Sequence, residues 1–74
     1  MDSMTLERLI KAEIPDAKVE VQDVKGNGAY FSAVVVSGQF KDMTRIEQHR
    51  KVHHAVDGFI GDGLHALKLV TRSA

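Results

Sequence analysis

Leu6, Leu9, Ile10 and Ile14 recur at helical spacing, with Glu7, Arg8 and Lys11 on the other faces, and Pro15 forces Ile14 out of helical geometry. The pattern predicts a first helix over about Thr5–Glu13. From Ala17 the period changes to two. Ala17, Val19 and Val21 alternate with Lys18, Glu20 and Gln22, which predicts a strand with one buried face. Tyr30 to Ser37 is rich in β-branched and aromatic residues and predicts a second, more buried strand. Lys25-Gly-Asn-Gly28 lies between the two strands, and its Asn-Gly pair predicts a tight antiparallel hairpin with positive φ at both central positions.

Helical periodicity returns after Ser37-Gly38. Ile46, His49, Val52, His53, Val56, Phe59 and Ile60 fall on one side of a helix. On this phase His49 is a core residue, His53 borders the sheet and His54 faces water. Gly58, Gly61 and Gly63 break the helix, with room for a short extra turn around Phe59 and Ile60. Leu64 to Thr71 alternates again and predicts a third strand, parallel to the second through a right-handed crossover. The expected fold is α+β, a two-layer α-β-β-α-(α)-β unit with a three-stranded mixed sheet and its helices on one face.

The 74 residues form a single domain on this reading, and nothing in the composition divides residues 1–74. A chain of this length buries about 60% of its unfolded surface, too little to enclose a sizeable catalytic cleft. Ten Lys and Arg balance ten Asp and Glu, which argues against a broad phosphate-neutralising surface. The chain has no cysteine, so any metal must be held by histidine or carboxylate, or by a partner's thiolates. No apolar run has signal-peptide or membrane-spanning length, and a cytoplasmic protein with no membrane association is expected. No Ser-His-Asp set, paired carboxylates or phosphate loop stands out, so an enzyme is not expected.

Four stretches then bear on function. They are Ile14-Pro-Asp-Ala-Lys-Val-Glu-Val21, Gly28-Ala-Tyr-Phe31, Ser37-Gly-Gln-Phe40 followed by Arg45-Ile-Glu-Gln-His-Arg-Lys-Val52, and Gly63-Leu-His-Ala-Leu67. In this order, on these elements, they resemble the BolA-like family over nearly the whole chain. The short Gly-rich hairpin is most similar to its small acid-stress subgroup, called IbaG. The resemblance implies a fold related to class II KH domains, a role in stress response, and a monothiol glutaredoxin as partner. It also implies a [2Fe–2S] cluster shared with that glutaredoxin and glutathione, with none in the isolated chain, which would be a monomer or weak homodimer when free. His65, in His-Ala-Leu, matches the family's cluster ligand. Asn27 matches the hairpin position where many members carry His or Cys. An amide binds iron less well than imidazole or thiolate, so Asn27 is read as a partner contact alongside His65, Arg50 and Lys51.

The alternative is a KH-like nucleic-acid-binding regulator that uses Lys41, Arg45, Arg50 and Lys51 on the basic side of the second helix. Gly58-Phe-Ile-Gly61 has the G-x-x-G form of a KH loop, but Asp57 and Asp62 flank it where basic groups would help to hold phosphate, and a helix stop accounts for the glycines. His49 and His53 have the spacing of a metal pair without a third ligand on the helix.

Overall fold

The computed structural model describes residues 2–59 and 66–74. Helix α1 spans Ser3–Glu13, strand β1 Lys18–Asp23, strand β2 Tyr30–Ser37, helix α2 Arg45–Val56 and strand β3 Ala66–Ser73, with 3₁₀ turns at Gly38–Phe40 and Asp57–Phe59. The sheet order is β1-β2-β3, with β1 antiparallel and β3 parallel to the central β2. This is the expected α+β architecture; of the two residues around which an extra helical turn was expected, Phe59 ends the second 3₁₀ turn and Ile60 lies outside the described residues.

Helix α1 begins two residues earlier than the periodicity indicated, because the Asp2 carboxylate accepts the Thr5 N–H at 2.8 Å and caps it. Its inward residues Leu6 and Ile10 are fully buried, and Ile14 closes the helix in a non-helical conformation ahead of Pro15. Thr44 and Glu47 form a reciprocal capping box that starts α2. Strand β2 has the predicted limits, and its inward face, Phe31, Ala33, Val35 and Ser37, is buried. Phe31 and Val35, with Ala17, Phe40, Val52, Val56 and Leu6, Ile10 and Ile14 from α1 and its end, form one core between the helices and the sheet.

The phase of α2 differs from the expectation. Val52 and Val56 are buried as predicted, but Ile46 is 65% exposed and His49 is only half-buried. The inward position one turn before Val52 belongs to Gln48. Its amide donates to the Phe40 and Met43 carbonyls at 3.1 and 3.0 Å, and its Oε1 accepts the Thr71 hydroxyl at 2.6 Å. A polar residue with all these bonds made can occupy an inward position at little cost, and this turns Ile46 and His49 outward. His54 is exposed as expected, with Nδ1 3.2 Å from Glu13 Oε1 on α1.

Candidate partner-binding site

The β1–β2 connection is not a two-residue Asn-Gly turn. Strand pairing closes at Val24, whose N–H donates to the Tyr30 carbonyl at 2.8 Å, and residues 25–29 form a wider loop. Positive φ occurs at Gly26 (70°) and Gly28 (72°), and at no described non-glycine residue, so Asn27 is not left-handed. The Asp23 carboxylate organises the loop by accepting the Gly26 N–H at 3.0 Å and the Gly28 N–H at 2.8 Å through its two oxygens. Asn27 Oδ1 accepts the Ala29 N–H at 3.2 Å, an Asx turn that leaves the residue exposed at the loop's tip. On the strand side, Lys25 Nζ lies 4.0 Å from the centre of the Tyr30 ring.

The start of β3 meets the same end of the sheet. Tyr30 is in register with Ala66, and the Ala66 N–H donates to the Ala29 carbonyl at 3.2 Å. The chain therefore enters β3 two residues from Asn27 across a backbone hydrogen bond. His65, the residue before Ala66, lies outside the described residues, as do Gly61 and the rest of 60–65. Gly58 belongs to the 3₁₀ turn Asp57–Phe59, and a Cβ there would meet nothing within 4 Å.

The four predicted cations are dispersed. Lys41 and Arg45 follow β2 at the end of the sheet opposite Asn27, while Arg50 and Lys51 stand half-way along α2. At about 100° per residue, Arg45, Arg50 and Lys51 point in three directions about 140°, 100° and 120° apart around the helix axis. Glu47 lies between Arg50 and Lys51 on the helix surface, and its carboxyl is held below its ordinary value first by the Thr44 N–H, then by the Thr44 side chain and last by Arg50. The charges thus surround α2 instead of forming a basic side. Arg45 and His49 instead line a shallow depression beside Leu69, Val70 and Thr71 of β3. Among the described residues, no three His, Cys, Asp or Glu side chains are grouped to hold a metal, which leaves His49 and His53 as a bare pair.

At the opposite end of the sheet, Asp16 fastens the α1–β1 loop to the segment after β2. Its carboxylate accepts the Ser37 hydroxyl at 2.8 Å, the Gly38 N–H at 3.0 Å and the Gln39 amide at 3.1 Å. The Ser37 hydrogen bond, aided by those from Gly38 and Gln39, holds the Asp16 carboxyl below its ordinary value. Periodicity assigned no role to Asp16, Asp23 or Gln48. For Asp23 a signal did exist, since an acid set three and five residues before two glycines can gather both amides.

These features define a small domain with a three-stranded mixed sheet, two helices on one face, and a structured loop beside the entry to the last strand. A family model of BolA-like proteins matches residues 9–74, and the chain belongs to that family. A BolA-like protein of Dictyostelium discoideum is 40% identical over 50 residues, which cover 66% of this chain and 44% of that protein, so the match spans less than half of the relative's length. An uncharacterised protein of Rickettsia prowazekii is 25% identical over 68 residues, 92% of this chain and 88% of the relative. Among solved structures, BolA1 from Arabidopsis thaliana superposes with a TM-score of 0.86 at 24% identity, covering 96% of this chain and 89% of that one. The BolA domain of SufE1 from the same plant gives 0.84 at 23% identity, with 99% and 94% covered. A BolA homologue from Coxiella burnetii gives 0.82 at 26% identity, with 99% and 91% covered. No helix among the described residues is long and apolar enough to cross a membrane.

Proposed function

We propose that this chain is a non-enzymatic adaptor that docks on a monothiol glutaredoxin and takes part in holding or transferring a [2Fe–2S] cluster, or in iron and redox regulation. The observation that carries the reading is the Ala66–Ala29 hydrogen bond, which joins the chain position next to His65 to the loop bearing Asn27. Two segments distant in sequence, each matching a ligand position of the family, thereby share one end of the sheet.

The donor set of the chain suits a share in a cluster and not a resident one. With no cysteine in the sequence and no metal-holding group among the described residues, the imidazole the chain would lend to a cluster is that of His65, the one of its four histidines that matches the family's ligand position. Asn27 Oδ1 is already engaged by the Ala29 N–H and is a neutral donor, so Asn27 acts as a contact to the partner. Thiolates from the glutaredoxin and glutathione complete the coordination, and the cluster supplies electron storage and transfer when bound. Arg50 and Lys51 add electrostatic attraction for an acidic partner surface from the middle of α2. The test is co-expression with a monothiol glutaredoxin. A coloured complex of the two chains supports the reading, and failure of the chains to copurify refutes it.

A further inference from the structure

Among the described residues, nothing covers the sheet face away from the helices. Its side chains form cross-strand rows: Lys18–Val36–Arg72, Glu20–Val34–Val70 and Gln22–Ser32–Lys68. Val34 and Val36 are half-buried on the central strand, Val70 is 36% exposed, and Lys18, Lys68 and Arg72 are exposed. Among the described residues, these three cations make no ion pair. A shallow depression lies over Glu20, Gln22, Ser32 and Val34. The chain's zero net charge therefore conceals an asymmetry, with three strand cations and one acid facing outward around an aliphatic centre and Lys25 over Tyr30 at one end.

We propose that this face docks an acidic amphipathic helix of a partner protein. The spacing fits one helix: β1 and β3 lie about 9.5 Å apart across β2, close to the roughly 10 Å width of a helix. Laid along β2, a helix sets an aliphatic strip on Val34, Val36 and Val70. Its flanking carboxylates reach Lys18 on one side and Lys68 and Arg72 on the other. Lys68 and Arg72 are about 13 Å apart along the strand, and two helical turns rise about 11 Å, so carboxylates two turns apart on flexible side chains reach both. Glu20 sets polarity by favouring a cation at one point of the partner.

The same arrangement disfavours other occupants. A second copy would oppose six cations with two acids across a face-to-face contact. Single-stranded nucleic acid needs stacking platforms, and the face carries one aromatic residue, Tyr30, whose ring already has Lys25 at 4.0 Å. The inference is independent of the glutaredoxin reading, because it uses neither Asn27 nor His65, and its probes contain no glutaredoxin.

The test is selection of a displayed library of randomised helix-forming peptides against the intact chain. The enriched peptides should carry Asp or Glu beside an aliphatic strip and move the amide resonances of Val34, Val36 and Val70. Their affinity should fall about tenfold in the Lys68→Glu, Arg72→Glu double variant. It should hold within about twofold in Arg8→Glu, Lys11→Glu, which makes the same charge change on α1. All four positions are exposed, and circular dichroism verifies the fold of each variant. The proposal is overturned if no peptide is enriched, if those enriched lack acidic residues, or if the double variant binds them equally well. It is equally overturned if Lys68 and Arg72 instead govern binding of an oligonucleotide, of anionic phospholipid vesicles, or of a second copy by sedimentation.

Discussion

Replacing Asp23 by alanine, at the end of β1, should destabilise this domain more than replacing Asn27 by alanine in the β1–β2 loop. The substitution removes both acceptors that gather the Gly26 and Gly28 amides at 3.0 and 2.8 Å. A hydrogen bond to a charged group contributes about 1.5–3 kcal/mol when shielded. Here the Gly26 amide is solvent-facing and the Gly28 amide is partly shielded, so water recovers part of the loss and a net cost of about 2 kcal/mol is expected for the pair. In a domain of this size about 1 kcal/mol moves the thermal midpoint by roughly 4–8 °C, so the midpoint should fall by about 10 °C. Asn27→Ala loses one neutral 3.2 Å bond and should cost only about 0.5–1 kcal/mol. Thermal denaturation followed by circular dichroism measures both changes, and the Gly26 and Gly28 amide resonances report the loop locally. If Asp23→Ala melts within about 2 °C of the parent with both resonances unmoved, or if Asn27→Ala is the costlier change, Asp23 does not organise the loop.

Three further expectations concern the loop, the helix phase and pH. Since Asn27 is not left-handed, Asn27→His or Asn27→Cys carries no backbone strain and should lower the midpoint only by the loss of the Ala29 bond. In complex with glutaredoxin, either should slow the decay of cluster absorbance toward chelators; unchanged decay would remove the loop from the ligand site. Val52→Ala, at a fully buried position, should cost about 2 kcal/mol, and Ile46→Ala, 65% exposed, less than about 0.5 kcal/mol; the reverse order in urea denaturation would mean the phase of α2 is wrong. Asp16 has a folded pKa below its ordinary 3.8, so its stabilisation is present above that value and is lost as pH falls through the folded pKa. Asp16→Asn leaves one oxygen acceptor where Ser37, Gly38 and Gln39 all donate, so it should be less stable at neutral pH and lose less on acidification below about pH 4. Parallel stability curves for the two proteins over that range would exclude the clasp.

The strands were legible because each has one buried face. The alternation at Val19 and Val21, and the run from Tyr30 to Ser37, record that burial directly in hydropathy. The helices were legible as elements but not in every detail. Polar caps decide where a helix starts, and a bonded polar residue can take an inward position, as Gln48 does, while Ile46 faces water. The loop was misread for a related reason. Asn-Gly is a strong local signal, yet the carboxylate of Asp23 reaches forward to two glycines and sets a different geometry. Of the candidate site, the pairing of the loop with the start of β3 follows from strand order and was readable from the chain. The dispersal of Arg45, Arg50 and Lys51 around α2 follows from their spacing at about 100° per residue and was readable too, whereas the direction in which α2 faces the core is what its hydropathy does not record correctly.

The account stands most directly on His65. The measurement is the visible circular dichroism of the chain copurified with a monothiol glutaredoxin, recorded for the parent and for His65→Ala, with the free variant's thermal midpoint as a check on its fold. The expected result is a cluster spectrum in the parent complex that changes or disappears in His65→Ala while the midpoint is retained. A spectrum identical in both complexes would show that His65 is not a ligand and contradict the proposed role of this end of the sheet.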